Sequence, residues 1–216
     1  MQEFGKKNPS VNLADLGINV AVAHWNLTPD ELVAKTLELG QGTLNDTGAL
    51  CVNTGKFTGR SPKDKFTVKD AITEDSVDWG DVNIPFSPDA FDKLYDKVCA
   101  YMAGKEVWIR DSYACAAPEY RLNVRVINET PWANLFCNDL FLRPTTEEIE
   151  TQNHDWLILQ APGFQADPAT DGTRQGNFTI VNFTRKIILI GGSGYTGEMK
   201  KGIFGVLNFV LPHEHK

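Results

Sequence analysis

Apolar residues recur at helical spacing in three stretches of the chain. In the first, Thr28, Pro29 and Glu31 supply an N-cap, a first-turn proline and a capping-box acid; Leu32, Val33 and Leu37 follow, and Gly40 stops the run. A second helix is predicted from about Pro88 to Met102, with Phe91, Leu94, Tyr95 and Val98 on one face and Gly104 beyond its end. A third places Met199, Ile203, Val206, Leu207 and Val210 on one face and is expected to give way to a polar stop at 211–216. Between the second and third, the pattern changes to that of strands. Residues 122–127 alternate Leu122, Val124 and Val126 with Asn123 and Arg125, and shorter apolar runs occupy 107–109 and 157–159. Runs at 178–183 and 186–190 flank Thr184-Arg185, which predicts a tight antiparallel connection, and short helical segments are expected at 132–139 and 146–151. The pattern predicts an α/β fold, a mixed β-sheet flanked by helices, built as one domain over 1–216 without internal repeats.

Composition narrows the possible functions. Hydrophobic residues make up 42% of the 216, enough for a substantial core, which excludes disordered and collagen-like chains. A net charge of -7 argues against a surface that neutralises nucleic-acid phosphates. No apolar stretch reaches 18 residues, so no membrane span is expected, and the polar first ten residues give no secretory signal. Without secretion, sequons such as Asn26 to Thr28 carry no meaning. Cys51, Cys99, Cys115 and Cys137 lie far apart with no C-x-x-C pair, as expected of reduced, buried or partly buried thiols in a cytoplasmic protein. His24 and His154 read as packing residues, and His213 and His215 lack the spacing of a metal site.

Two segments carry candidate chemistry. In 54–65, Lys56, Arg60, Lys63 and Lys65 stand against the single anion Asp64, so the segment is +3 while the remainder is -10 (-7 minus 3). Glycines and hydroxyls let the backbone approach a ligand, and the planar arginine fork suits a carboxylate; a solvated basic turn has the same composition. The second segment runs from a strand through Gly192, Gly194 and Gly197 into the last helix, a formal G-x-G-x-x-G. It is a poor dinucleotide site because the acidic residue expected about twenty positions on would fall at the chain end and no further strand follows. Glu198 and Met199 stand where a P-loop needs Lys and Ser or Thr, so it is not one. Lys200 and Lys201 oppose the helix dipole unless an anion binds there, and partial burial would depress a lysine enough to make its amine a metal ligand or base. Tyr195 stands beside them.

Taken together, the run Thr54 to Phe66 and the run Tyr195-Thr196-Gly197-Glu198-Met199-Lys200-Lys201-Gly202 resemble the ATP-dependent phosphoenolpyruvate carboxykinases, in order and in separation. The likeness extends from about Asn26 to Pro212. The resemblance implies the N-terminal, substrate-side domain of a lyase that converts oxaloacetate and ATP into phosphoenolpyruvate, carbon dioxide and ADP in gluconeogenesis, with Mg2+ on the nucleotide and a second ion, Mn2+. It implies that Arg60 holds a substrate carboxylate, that Tyr195 contacts substrate or departing carbon dioxide, that Lys201 ligates manganese and faces substrate and phosphate, and that Lys200 adds positive potential. The family's histidine ligand, P-loop and metal-binding aspartate are not in this sequence. The chain is therefore expected to be a truncation, inactive alone, whose partner is its own C-terminal nucleotide-binding domain. A non-catalytic anion or dinucleotide-binding module and a purely structural or oligomerisation domain are the competing readings.

Overall fold

The computed structural model describes residues 1–214. Nine strands form one sheet: β1 (Gln2–Gly5), β2 (Val22–Trp25), β5 (Lys65–Val68), β6 (Ile84–Phe86), β7 (Glu106–Ala114), β8 (Leu122–Asn128), β9 (Trp156–Ala161), β10 (Phe178–Asn182) and β11 (Ile187–Gly191), in the order β1-β2-β7-β8-β9-β11-β10-β5-β6. The pairs β7–β8 and β10–β11 are antiparallel and the rest parallel, so the sheet is mixed. A separate hairpin pairs β3 (Gly42–Leu44) with β4 (Leu50–Val52). Among the described residues five α-helices accompany these strands: α1 (Pro29–Glu38), α2 (Pro88–Met102), α3 (Pro131–Leu140), α4 (Thr146–Ile149) and α5 (Gly197–Glu214).

Both faces of the sheet are covered. Leu157, Leu159 and Leu189 point into a layer with Phe91, Leu94, Val98 and Met102 of α2. Their neighbours Ile158, Ile188 and Ile190 point the other way, onto Trp132 and Cys137 of α3 and Met199, Ile203 and Val206 of α5. Strands buried on both faces read as continuous apolar runs, and β9 and β11 are such runs.

Every predicted element is present, with four corrections. β7 runs to Ala114, well beyond 109, because Arg110, Asp111 and Ser112 are buried polar residues. Six strands of the first 86 residues, β1 to β6, were not anticipated. The expected stop at 211 is instead helix: α5 continues through Pro212 to Glu214, a proline tolerated in the final turn. Cys51 is exposed, since the β3–β4 hairpin lies outside the main sheet, whereas Cys99 and Cys137 are buried, Cys115 is half-buried, and all four are free. The β10–β11 connection is antiparallel as expected, but it spans four residues (183–186) where the pattern predicted Thr184-Arg185 alone. His24 packs between Phe4 and Trp108, with ring centroids 5.3 and 5.5 Å away, and its Nε2 lies 2.5 Å from Glu106; His154 is half-buried beside Arg125. His213 stacks on Phe209, whereas His215 lies outside the described residues. Among the described residues no helix is long and apolar enough to cross a membrane.

Candidate functional site

The cationic segment leaves β4 after Val52 and reaches β5 through a short 3-10 turn, Pro62–Asp64. Local bonds shape it: the Gly55 N–H donates to Asn53 Oδ1 (2.8 Å), and Thr54 Oγ1 donates to the Phe57 carbonyl (2.7 Å). Asp64, the segment's one anion, turns inward. It is 2% exposed and accepts a bidentate pair from Arg174, Nε and Nη2 each at 2.8 Å, and a third bond from Gln175 (2.7 Å). Lys56, Arg60 and Lys63 turn outward and are exposed. The loop's negative charge is thus consumed as an anchor, and three of its four positive charges face outward.

The glycine turn follows β11. Gly192 takes a positive φ of 69°, and a side chain at Gly194 would put its Cβ 2.7 Å from the Thr54 carbonyl oxygen, so this glycine lets the two loops touch. A Cβ at Gly197 would strike the Tyr195 ring, 2.4 Å from Cε1. The glycine spacing that matched a dinucleotide fingerprint is therefore explained by packing: two of the three glycines make room for Thr54 and for Tyr195. Tyr195 is half-buried, with its N–H donating to Ser193 Oγ (3.3 Å). In the first turn of α5, Glu198 is 4% exposed and accepts the Ser61 N–H at 2.8 Å across 137 residues of chain. Lys201 is half-buried, its ammonium 4.6 Å from the Phe204 ring centroid, and Lys200 is exposed. Both lysines border a largely apolar hollow of about 440 Å³ formed with Tyr113, Leu142 and Phe204.

The fold thus brings the Arg60 segment against the Tyr195–Lys201 segment. It also sets apart Lys65, which the motif counted among the loop's cations without a role of its own. Lys65 is half-buried; burial pushes its ammonium below the ordinary lysine range, Glu198 opposes that shift, and Lys201 and Arg60 reinforce it. Strand alternation marks its direction: Phe66 and Val68 enter the core, so Lys65 and Thr67 face the α5 side. Behind the glycine turn lies a buried polar chain that sequence reasoning also missed. Arg110 donates to Asn134 and Asn138 (3.0 Å each), Asn134 to Asn128 (3.0 Å), Asn128 to Gln160 (2.8 Å), and Gln160 to the Ser193 carbonyl (3.5 Å). Burial lowers the Arg110 guanidinium to about 10. Among the described residues no three His, Cys, Asp or Glu side chains converge on a metal position. A divalent ion would find Lys201 here but not a full donor set.

A mixed sheet covered on both faces, whose last strand opens through a glycine turn into a helix and holds a cationic loop against that turn, defines an α/β domain of the strand–loop–helix class. The family model described as phosphoenolpyruvate carboxykinase matches residues 21–216, and the chain belongs to that family. Proteins named phosphoenolpyruvate carboxykinase (ATP) from Flavobacterium johnsoniae and Christiangramia forsetii are 60% and 59% identical to it over 203 residues; one from Geobacillus kaustophilus is 47% identical over 204. These alignments cover 94% of this chain and 38–39% of the relatives, so the chain spans under two-fifths of their length.

Proposed function

We propose that this chain is the substrate-side domain of an ATP-dependent phosphoenolpyruvate carboxykinase, which converts oxaloacetate and ATP into phosphoenolpyruvate, carbon dioxide and ADP. The observation that carries this reading, in a chain of this family, is the Ser61–Glu198 hydrogen bond, which joins the loop of Arg60 to the turn of Tyr195 and the helix of Lys201. Oxaloacetate is a dianion. Arg60, exposed on an anchored loop, offers a bidentate fork to one carboxylate. Loss of the other carboxylate as carbon dioxide leaves an enolate, and an ammonium beside its oxygen lowers the energy of that charge; Lys201 is the half-buried cation placed for it, with Lys200 raising the potential further out. Tyr195, held between Gly194 and Gly197, faces substrate or the departing carbon dioxide. The enolate oxygen then attacks the γ-phosphate of the nucleotide.

Divalent ions, Mn2+ and Mg2+ on ATP, supply Lewis-acid charge neutralisation in phosphoryl transfer. This chain contributes Lys201 toward that chemistry; the other metal donors and the phosphate cradle belong to the part of the relatives it does not match. No turnover is expected from 1–216 alone. The four free thiols agree with a cytoplasmic setting.

The test joins this chain to the uncovered portion of the Flavobacterium johnsoniae relative and assays phosphoenolpyruvate release from oxaloacetate, ATP and manganese. Activity in the chimaera and none in the chain alone is the expected result. If the chimaera is folded but inactive, or if the chain binds NADH and not oxaloacetate, the reading fails.

A further inference from the structure

Glu198 poses a problem of charge. A carboxylate 4% exposed stands one turn from Lys201 and bonds to the loop of Arg60, where it repels any anion those cations attract. Burying it without compensation is costly. Its hydrogen-bond donor, the Ser61 N–H, is neutral, and no cation among the described residues lies within ion-pair distance of it. Lys65 is a half-buried cation whose ammonium Glu198 favours against the cost of burial. It reaches α5 from the strand next door, where a Cβ at Gly205 would lie 3.3 Å from its Nζ. Residues 198, 201 and 205 follow one another at three- and four-residue steps along one face of α5, so Lys65 lies along the stripe that carries Glu198 and Lys201. Among the described residues Lys65 makes no ion pair of its own.

We propose that Glu198 is a positioning residue: its carboxylate, charge-balanced by Lys65, clamps the Ser61 N–H and thereby holds Arg60 against the Tyr195–Lys201 segment. The pair is close to neutral, which leaves the charges of Arg60 and Lys201 free for the ligand. Lys65 then acts on the ligand through Glu198 and not by touching it. This inference rests on the reading of Arg60 and Lys201 as an anion site, but the clamp has a readout of its own.

That readout is amide exchange at Ser61, measured by NMR in the 216-residue chain, with Asp64 as reference because its N–H donates to the Ser61 carbonyl. Glu198→Ala should speed Ser61 exchange about tenfold or more, whereas Glu198→Gln, which keeps an acceptor oxygen, should retain most of the protection. Should Glu198→Ala fail to fold, Lys65→Met decides: it removes the balancing charge and should loosen Ser61 while core amides such as Leu189 stay protected. Unchanged Ser61 exchange in Lys65→Met and in a folded Glu198→Ala overturns the clamp.

The second arm titrates phosphoenolpyruvate and follows the Arg60 Nε resonance. Lys65→Met should weaken binding, and the neutral double variant Lys65→Met/Glu198→Gln should restore it to within about threefold. A double variant as weak as Lys65→Met would mean that Lys65 contacts the ligand itself, which sinks the charge-balance role. If Ser61 exchange behaves as expected and Arg60 ignores phosphoenolpyruvate in the wild-type chain, the clamp stands and the substrate reading falls.

Discussion

Arg60 and Asp64 sit four residues apart in one loop and have opposite fates, one exposed and one buried under Arg174. The anchoring lets a surface arginine keep a defined place. Replacing Arg60 by lysine keeps the charge and loses the planar fork, so on the role proposed for Arg60 phosphoenolpyruvate affinity measured by calorimetry should fall roughly tenfold. His154 offers a second test at this scale. Burial, and then the neighbouring Arg125, hold its imidazole below the ordinary range. The unfolded chain therefore takes up that proton first as pH drops below about 6.5, and stability present above that value is lost on acidification. His154→Gln should flatten the decline in Tm between about pH 7 and pH 5; an unaltered slope would assign the decline to other groups.

At the scale of elements, the β7–β8 pair shows what the sequence could and could not disclose. Asp111 and Arg125 are direct cross-strand partners, both buried, with Arg125 Nε donating to Asp111 at 2.7 Å and the guanidinium 5.3 Å from the Trp25 ring centroid. Such a pair is costly to break from one side: Asp111→Ala should destabilise the fold by about 3–5 kcal/mol in urea titration, whereas Asp111→Leu with Arg125→Met should recover most of it. Because Arg110, Asp111 and Ser112 interrupt the apolar run, the pattern at 107–109 could not disclose the five strand residues beyond it, 110–114. α1 and α2 were legible through Thr28, Glu31, Gly40 and Gly104, since caps and stops are local chemistry. The strands β1 to β6 were not, because they are three or four residues long and set by neighbours distant in sequence: β1 is exposed throughout, β6 carries Pro85, and β5 pairs with β10 more than 110 residues away. Of the candidate site, Arg60, Tyr195, Lys200 and Lys201 were nameable from motifs, while Lys65 and Glu198 lay inside the same motifs and their proposed roles depend on contacts between segments distant in sequence.

For the molecule as a whole, the sheet order places β5 and β6 beyond β10, and β11 between β9 and β10. The two segments of the candidate site, 137 residues apart at Ser61 and Glu198, meet only when the final hairpin has been inserted and α5 has docked. A chain ending at residue 196 should therefore show the 53–61 loop cut by trypsin at Lys56 and Arg60 at least tenfold faster than in the intact protein, with the central strands still resistant. During synthesis this ordering has a temporal meaning. The cationic loop emerges from the ribosome early and stays without its counterpart until nearly all of this chain has followed, so by loop-closure entropy the site is among the last parts of the fold to form. Its completion reports that the sheet beneath it has closed.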